Sequence, residues 1–374
     1  MRCFKRMTAL RPASNVDMTV NILGNTNGGG LSRDIDLLRE VLGDLAYTVF
    51  VNGKPDGGRQ QRRVAWTLKR MHASGLGKSV MARGWMRPPY DLNIHLEEIY
   101  GARLWTARRN VLIPNQEWFR EWCRPYLPQI DEVWAKSYLA ERLFAGLGCN
   151  SRFLGWSSAD RKAPRAGGRK ALTALHIAGA SREKGTEAVL DVWSRNPDWP
   201  LLRVLRRARA YAGNLIPWRE RALAVNIEII TERVDEQTLV RMQNDSALCL
   251  CPSEAEGFGH VIAESMSVGA VVIVTDGPPM NELVSPDAGL LVATERSGPM
   301  GLGERYFVSL DDLDAKIRVA LNMTDAEREA MGHAARARFE AMHEAFRERL
   351  QAYLGAILAE AGQRPEPAAV TDVC

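Results

Sequence analysis

Short apolar runs alternate with amphipathic segments along most of the chain, a pattern typical of proteins built from β-α-β units. Met18 to Leu23 predicts a first strand, Leu31 to Leu42 an amphipathic helix, and Tyr47 to Val51 a second strand. Further apolar runs follow at Leu92 to Leu96, Val111 to Ile113 and Val133 to Trp134. Because strands separated by helices usually pair in parallel, we expect a parallel sheet covered by helices.

A polar segment with Gly and Pro interrupts this pattern at residues 158–170 and predicts an interdomain linker. A second series of strands is predicted at Ala171 to Ile177, Leu201 to Leu205, Ile227 to Ile230, Ala247 to Cys251 and Val271 to Thr275. The chain of 374 residues therefore divides into two predicted domains, 17–157 and 171–338. The remaining predicted parts are a basic extension (1–16), a C-terminal helix that returns to the first domain (339–360) and a flexible tail (361–374).

The composition is that of a globular protein. Hydrophobic residues make up 46% and charged residues 25% of the chain, which argues against disordered and fibrous classes. The six cysteines form no CxxC pair and are interpreted as small core residues in a reducing compartment, so no metal site is predicted. The N-terminus lacks the apolar run of a signal peptide, and no segment reaches the roughly 20 apolar residues of a membrane span. These patterns predict a cytoplasmic protein, with peripheral contact to the cytoplasmic membrane face as an open alternative.

Residues 59–87 form a basic segment that contains eight Lys or Arg side chains and no Asp or Glu. Apolar side chains, among them Trp66 and Trp85, alternate with these charges. Such a segment would attract an anionic membrane surface or a lipid-linked phosphate at about 1 kcal/mol per basic residue near the surface. A solvated helix face is the alternative interpretation. Nucleic acid is not a predicted partner, since the net charge is only +4 and no binding module accompanies the basic residues.

The most specific motif begins at Pro252 and reads PSEAEGFGHVIAESM. Two carboxylates, Glu256 and Glu264, flank a Gly-rich turn and the start of an apolar helix. A strand, loop and helix in this order directs backbone N–H groups and the positive helix end toward an anion. Because a carboxylate accepts hydrogen bonds only, Glu256 suits sugar hydroxyls and Glu264 suits a pair of vicinal ribose hydroxyls.

With the PPMNEL loop that follows, this stretch resembles the E-x7-E signature of the retaining glycosyltransferases of family four, the glycosyl transferases group 1. The resemblance implies an α/β, GT-B architecture, in which two Rossmann-like domains face each other across a donor cleft. It implies an enzyme of hexosyltransferase type in polysaccharide biosynthesis, which moves a sugar from a nucleoside-diphosphate sugar to a hydroxyl of a glycan or lipid-linked glycan. Retention of anomeric configuration, with no metal or other cofactor, is also implied.

The second predicted domain opens with HIAGASREKG, which resembles the family segment beside the leaving diphosphate. A fixed cation there would stabilise the charge that develops on the leaving oxygen. The resemblance assigns this charge to Lys184 and Arg182, although Ala180 stands where the family commonly has Arg.

Other site residues are implied by position in the same architecture. Gly29 and Gly30, between a strand and a helix, would let backbone approach the donor diphosphate. His95 resembles a family histidine near the donor sugar, with a core histidine as the alternative, and Val234 would contact the base. The remaining predicted donor contacts are Gly257, Phe258, Gly259, Asn281 and Glu282. The segment PNQEWF, Pro114 to Phe119, also resembles a family strand end, but its residues receive no role.

Two other function classes remain open at this point. One is a GT-B-fold sugar-nucleotide epimerase or hydrolase, and the other is a non-catalytic nucleotide-sugar-binding protein. A nicotinamide dehydrogenase is not favoured, because Arg33 occupies the position of the third Gly in G-x-G-x-x-G. An ATP-binding loop at GLGKS is rejected, because His72 stands where the first Gly of that motif is required.

Overall fold

The computed structural model describes residues 18–25, 29–43, 45–51, 54–55, 88–164, 170–207 and 225–362. The predictions for the N-terminal extension and for the basic segment 59–87 lie outside these residues, as does the prediction for the tail beyond residue 362. Within the described residues the strands form two sheets and one separate hairpin.

The N-terminal sheet has the strand order β3-β2-β1-β4-β5-β6-β7. Its strands are β1 (Thr19–Gly24), β2 (Ala46–Val51), β3 (Lys54–Pro55), β4 (Tyr90–Glu97), β5 (Ala107–Pro114), β6 (Glu132–Ala135) and β7 (Ser151–Phe153). All neighbours pair in parallel except β2 and β3 at the edge. Helices α1 (Gly30–Leu42) and α2 (Tyr138–Gly146) belong to this domain, with 3-10 helices at Gly101–Thr106, Gln116–Trp118 and Glu121–Gln129.

The C-terminal sheet has the order β10-β9-β8-β11-β12-β13 and is parallel throughout. Its strands are β8 (Ala171–Gly179), β9 (Leu202–Arg206), β10 (Ile227–Ile230), β11 (Ser246–Cys251), β12 (Val271–Thr275) and β13 (Gly289–Val292). Helices α3 (Thr186–Ser194), α4 (Glu236–Asp245), α5 (His260–Ser267), α6 (Met280–Leu283) and α7 (Leu310–Asn322) accompany it. The predicted pair of parallel α/β domains is confirmed.

An antiparallel hairpin of β14 (Thr294–Met300) and β15 (Gly303–Val308) leaves the C-terminal domain and reaches the N-terminal domain. At its tip, the backbone N–H of Leu302 donates to the carbonyl of Gln116 at 2.9 Å. The side chain of Leu302 packs against the apolar cluster around Phe119 and Phe144. The hairpin therefore connects the two domains at a point away from the covalent crossover.

The last helix, α8 (Asp325–Gly362), contacts both domains. Near its start Arg336 donates to the carbonyl of Ser267 at 2.7 Å. Further along, Phe346 packs edge-on against Trp156, and the hydroxyl of Tyr353 donates to the carbonyl of Phe153 at 3.0 Å. Apolar side chains that are buried along this helix make the apolar core continuous from the first sheet to the second. None of the helices in the described part of the chain is long and apolar enough to cross a membrane.

The crossover between the domains is not simply a solvated linker. Within the predicted linker 158–170, Ser158 and Arg161 are buried against the C-terminal domain. The backbone N–H of Arg161 donates to the hydroxyl of Ser267 at 3.0 Å, and the carbonyl of Arg161 accepts from Asn244 at 2.8 Å. In the described part of this segment, residues 158–164 and 170, the backbone of Arg161 is therefore hydrogen-bonded to the second domain.

Candidate functional site

A cavity of about 940 Å³ lies between the two domains. Segments that follow β1, β4, β5 and β6 line one wall, and segments that follow β8, β9, β10 and β11 line the opposite wall. The carboxyl ends of both parallel sheets therefore face the same space. Ligands of open α/β sheets bind at this edge, so the cavity is the candidate site.

The C-terminal wall brings Lys184 and Glu256 together. The ammonium of Lys184 donates to the carboxylate of Glu256 in an ion pair in which both side chains are mostly buried. Gly185 makes this approach possible, because its backbone is left-handed (φ +66°) and a Cβ there would lie 2.0 Å from the carbonyl oxygen of Pro252. The loop after β8 thus packs directly onto the loop after β11, which carries Glu256.

Most of the other predicted site residues line the same cavity as this ion pair. They are Gly29, Gly30, Arg182, Val234, Gly257, Phe258 and Gly259. Gly29 and Gly30 stand at the start of α1, so the N-terminus of a 13-residue helix faces the cavity. The wall also includes cationic residues that the sequence analysis did not assign, namely Arg33, Arg120, Lys136, Arg207 and Arg233.

Glu264 lies on α5 behind the cavity wall and is 0% exposed. Its Oε1 receives the guanidinium of Arg33 at 2.9 Å and the hydroxyl of Ser158 at 3.2 Å, with Arg161 at 3.4 Å. Its Oε2 accepts from Gln243 at 3.2 Å. Glu264 therefore reaches the cavity through Arg33, which lines the wall, rather than with its own oxygens.

His95 does not line the cavity and is 0% exposed in the N-terminal sheet. Its Nδ1 accepts from the backbone N–H of Tyr100 at 3.1 Å, so its Nε2 carries the proton and donates to Asn110 at 3.2 Å. Burial lowers the pKa of His95 to about 4, which keeps the ring neutral. The alternative of a core histidine with satisfied hydrogen bonds fits this placement, and we assign His95 no contact with a donor.

Asn281 and Glu282, on α6, also lie outside the cavity wall. The Asn281 amide donates to Asp276 at 2.9 Å. The carboxylate of Glu282 accepts from the backbone N–H groups of Tyr138 at 2.7 Å and Leu139 at 2.9 Å. Glu282 thus binds the first turn of α2 in the opposite domain and is not available to a donor in this arrangement.

A buried polar network that the sequence analysis missed connects the two domains. Lys136 donates to Asp34 at 2.6 Å, and Trp156 donates to the same carboxylate at 2.6 Å. His260, at the start of α5, lies 3.0 Å from Asp34 and 2.9 Å from the hydroxyl of Ser158. Burial alone would raise the pKa of Asp34, but Lys136 and His260 hold it well below its usual range. The available sequence signal was the position of Lys136, two residues after the apolar run Val133 to Trp134.

The acidic side chains on the N-terminal wall include Glu97, the last residue of β4, and Glu117, which follows β5. Burial raises the pKa of both carboxyl groups, that of Glu117 to about 8. Glu97 has a left-handed backbone (φ +66°), which is rare for a residue with a side chain and is typical of strained functional positions. No three His, Cys, Asp or Glu side chains in the described ranges are grouped to hold a metal ion.

Comparison with solved structures places this architecture among glycosyltransferases. Sucrose-phosphate synthase from Thermosynechococcus elongatus is 15% identical with a TM-score of 0.66, over 92% of this chain and 100% of that one. A glycosyltransferase from Rickettsia africae is 13% identical with a TM-score of 0.66, over 91% and 99%. HepE of Anabaena, solved with UDP and glucose, is 15% identical with a TM-score of 0.63, over 91% and 100%.

At the sequence level, the family model described as glycosyl transferases group 1 matches residues 210–303, which include the loop that carries Glu256. No curated protein sequence matches the chain significantly. The family model and the structural neighbours both support the resemblance to glycosyltransferases that the motifs indicated. The chain has the GT-B fold, with two Rossmann-like domains that face each other across a cleft.

Proposed function

We propose that the protein is a retaining glycosyltransferase that moves a sugar from a nucleoside-diphosphate sugar to a hydroxyl of a glycan or lipid-linked glycan. The observation that carries the proposal is the Lys184–Glu256 pair on the wall of the interdomain cavity, where the carboxyl ends of both sheets meet. The group 1 family model and the UDP and glucose bound by the neighbour HepE support it.

Positive charge on the C-terminal wall suits the leaving diphosphate. In the proposed reaction the bond from the anomeric carbon to the diphosphate oxygen breaks, and negative charge develops on that oxygen. Lys184 and Arg182 stabilise this charge, and Arg207 adds a cation from the end of the neighbouring strand β9. The acceptor oxygen bonds to the anomeric carbon on the same face, and its proton passes to the departing phosphate oxygen. No metal ion is part of the proposal.

The other wall residues have positioning roles in this scheme. The N-terminus of α1 at Gly29 and Gly30 presents backbone N–H groups to the diphosphate. Glu256 accepts hydrogen bonds from the hydroxyls of the transferred sugar, and the backbone at Val234 contacts the base. Glu264 orients Arg33 at the wall, and the ribose binds Glu264 directly only if Arg33 moves aside.

The proposed function is tested by incubating the purified protein with UDP-, GDP-, ADP- and dTDP-sugars without acceptor. Mass spectrometry follows the loss of donor, and thermal shift follows binding. We expect one donor to stabilise the fold and to release its nucleoside diphosphate slowly. Rapid isomerisation of the sugar would instead indicate an epimerase, and binding without turnover, even with acceptors, would indicate a non-catalytic binding protein.

A further inference from the structure

The segment Asn115–Glu117 of the N-terminal domain contacts the loop that carries Glu256 in the other domain. The amide of Gln116 donates to the backbone carbonyl of Glu256 at 2.7 Å, and the carbonyl of Gln116 accepts from Leu302 of the hairpin. A residue of the first domain therefore holds the backbone of the residue that is proposed to orient the sugar.

Glu117 packs against the same loop. A Cβ on Gly257 would lie 2.3 Å from the side-chain oxygen of Asn115 and 3.0 Å from Oε1 of Glu117, so only a glycine lets both side chains approach so closely. Glu117 lines the cavity although it is only 7% exposed. Its Oε2 has no hydrogen-bond partner in the part of the chain that the structure describes. A buried polar atom at a cavity wall without a partner indicates a place for a ligand atom.

The surroundings of Glu117 determine its protonation. Burial raises its pKa to about 8, and the carboxylates of Glu256 and Glu97 act in the same direction. A backbone hydrogen bond at Glu117 and the charge of Lys136 oppose them, and the ammonium of Lys136 already donates to Asp34 at 2.6 Å and to Asn115 at 3.0 Å. A carboxyl group in these surroundings keeps its proton at neutral pH and can donate a hydrogen bond.

We propose that Glu117 works as a neutral carboxylic acid that donates a hydrogen bond to an oxygen of the sugar bound between the domains. This inference rests on the proposed function and adds a specificity-determining residue to it. Gln116 and Asn115 hold the loop that carries Glu256 against the N-terminal wall. Glu117 on one wall and Glu256 on the other therefore contact the same sugar. In this role Glu117 does not remove the acceptor proton.

The substitution Glu117→Gln separates this role from that of a general base. Glutamine has the same shape, carries no charge and donates through its amide, so it replaces a neutral acid but not a carboxylate base. At neutral pH we expect Glu117→Gln to keep kcat/KM within about threefold of the wild-type value, whereas Glu117→Ala loses about tenfold, the effect of one hydrogen bond. A loss in Glu117→Gln as large as that in Glu117→Ala would overturn the inference.

The pH profile gives a second readout. Loss of the proton removes the hydrogen-bond donor and places a negative charge beside Glu256, so wild-type kcat/KM should fall as the pH rises through about 8. This alkaline fall should be absent in Glu117→Gln. It should persist in the control Glu121→Gln, which neutralises an exposed carboxylate on the adjacent 3-10 helix. An alkaline fall that is unchanged in Glu117→Gln contradicts the assignment.

Infrared difference spectroscopy on the full chain without donor tests the carboxyl group independently of turnover. The wild-type protein should show the carbonyl stretch of a protonated carboxylic acid that disappears as the pH rises through about 8, and Glu117→Gln should lack it. Absence of this band overturns the inference even if donor is turned over. If this band is present but the protein binds no nucleotide sugar, the proposed function is wrong although Glu117 is a neutral carboxylic acid.

Discussion

The carboxylate of Glu282 accepts a hydrogen bond of 2.7 Å from the backbone N–H of Tyr138, so a residue of the C-terminal domain caps a helix of the N-terminal domain. The Glu282 carboxylate also accepts from Leu139, while the hydroxyl of Ser137 accepts from the third N–H, that of Ala140. The first turn of α2 is therefore stabilised in part from across the domain boundary.

Glu282→Ala removes this cap. We expect the amides of Tyr138 and Leu139 to exchange faster with solvent hydrogen and the protein to lose about 1–2 kcal/mol of stability, since a negative charge at a helix N-terminus is lost. Hydrogen exchange with mass spectrometry measures the effect. The control Ser137→Ala removes the cap within the domain and should affect Ala140 most. Unchanged exchange at Tyr138 in Glu282→Ala would show that the contact does not stabilise α2.

The hairpin tip at Gly301 provides a test of domain closure. Gly301 has a left-handed backbone (φ +59°), and a Cβ there would lie 2.5 Å from the carbonyl oxygen of Gln116. Gly301→Ala should therefore push the hairpin off the N-terminal domain, and small-angle scattering should report a larger radius of gyration. Gly148→Ala controls for backbone strain, because Gly148 has φ +81° and no atom within 4 Å of a Cβ. An unchanged radius in Gly301→Ala would mean that the hairpin does not hold the domains together.

Removal of one partner of the buried Asp34–Lys136 pair should cause a large loss of folding stability. Lys136→Met leaves the Asp34 carboxylate buried without its cation, and we expect a loss of about 3–5 kcal/mol in urea unfolding. The double variant Asp34→Leu with Lys136→Met should recover part of this loss, because no uncompensated charge remains. Equal stability of the wild-type protein and Lys136→Met would contradict the network as described.

The Asp34 carboxylate should also make the folding stability depend on pH in the acid range. Lys136 and His260 hold the pKa of Asp34 below its unfolded value, so the folded state is stabilised when the pH lies above the unfolded pKa. This stabilisation is lost as the pH falls from about 4 through the folded pKa. Urea unfolding across acid pH should therefore show a steeper loss of stability in the wild-type protein than in Asp34→Asn. Parallel curves for the two proteins would argue that Asp34 titrates normally.

The contact between Arg33 and Glu264 at 2.9 Å predicts that these residues act together on nucleotide binding. Arg33→Ala and Glu264→Gln should each weaken the affinity for the nucleotide. Because Glu264 acts through Arg33, the double variant should lose less than the sum of the two losses, with a coupling of about 0.5–3 kcal/mol. Calorimetric titration of the four proteins measures the cycle. Additive losses would indicate that Glu264 binds the ribose without Arg33.

The architecture and most of the predicted residues of the cavity wall could be identified from the sequence because their signals are local. A buried strand, a Gly-rich loop and a helix follow one another within a few residues, and strand ends of a parallel sheet meet at one edge. Lys184, Glu256 and Gly29 each follow a predicted strand, and all three line the same cavity. Spacing on α5 also placed Glu264 on a helix, but could not show that Arg33 of the other domain would stand between it and the cavity.

The missed residues depend on contacts between distant parts of the chain. Asp34 and Lys136 are 102 positions apart, and each by itself resembles an ordinary charge near the start of a helix or the end of a strand. His95 lies in an apolar strand, a pattern that fits a site residue and a core residue equally well. Its hydrogen bonds to Tyr100 and Asn110 fit the core alternative. Glu117 follows a predicted strand end, but its burial against Gly257 depends on how the two domains pack together.

The most direct test of the central claim is the rate at which nucleoside diphosphate is released from the stabilising donor, compared between the wild-type protein and Lys184→Met. If Lys184 stabilises the charge on the leaving diphosphate, the variant should release it about 10²–10³-fold more slowly, while its Kd for the donor changes by less than about tenfold. Release at the wild-type rate in Lys184→Met would contradict the account, because the ion pair with Glu256 would then have no part in the reaction.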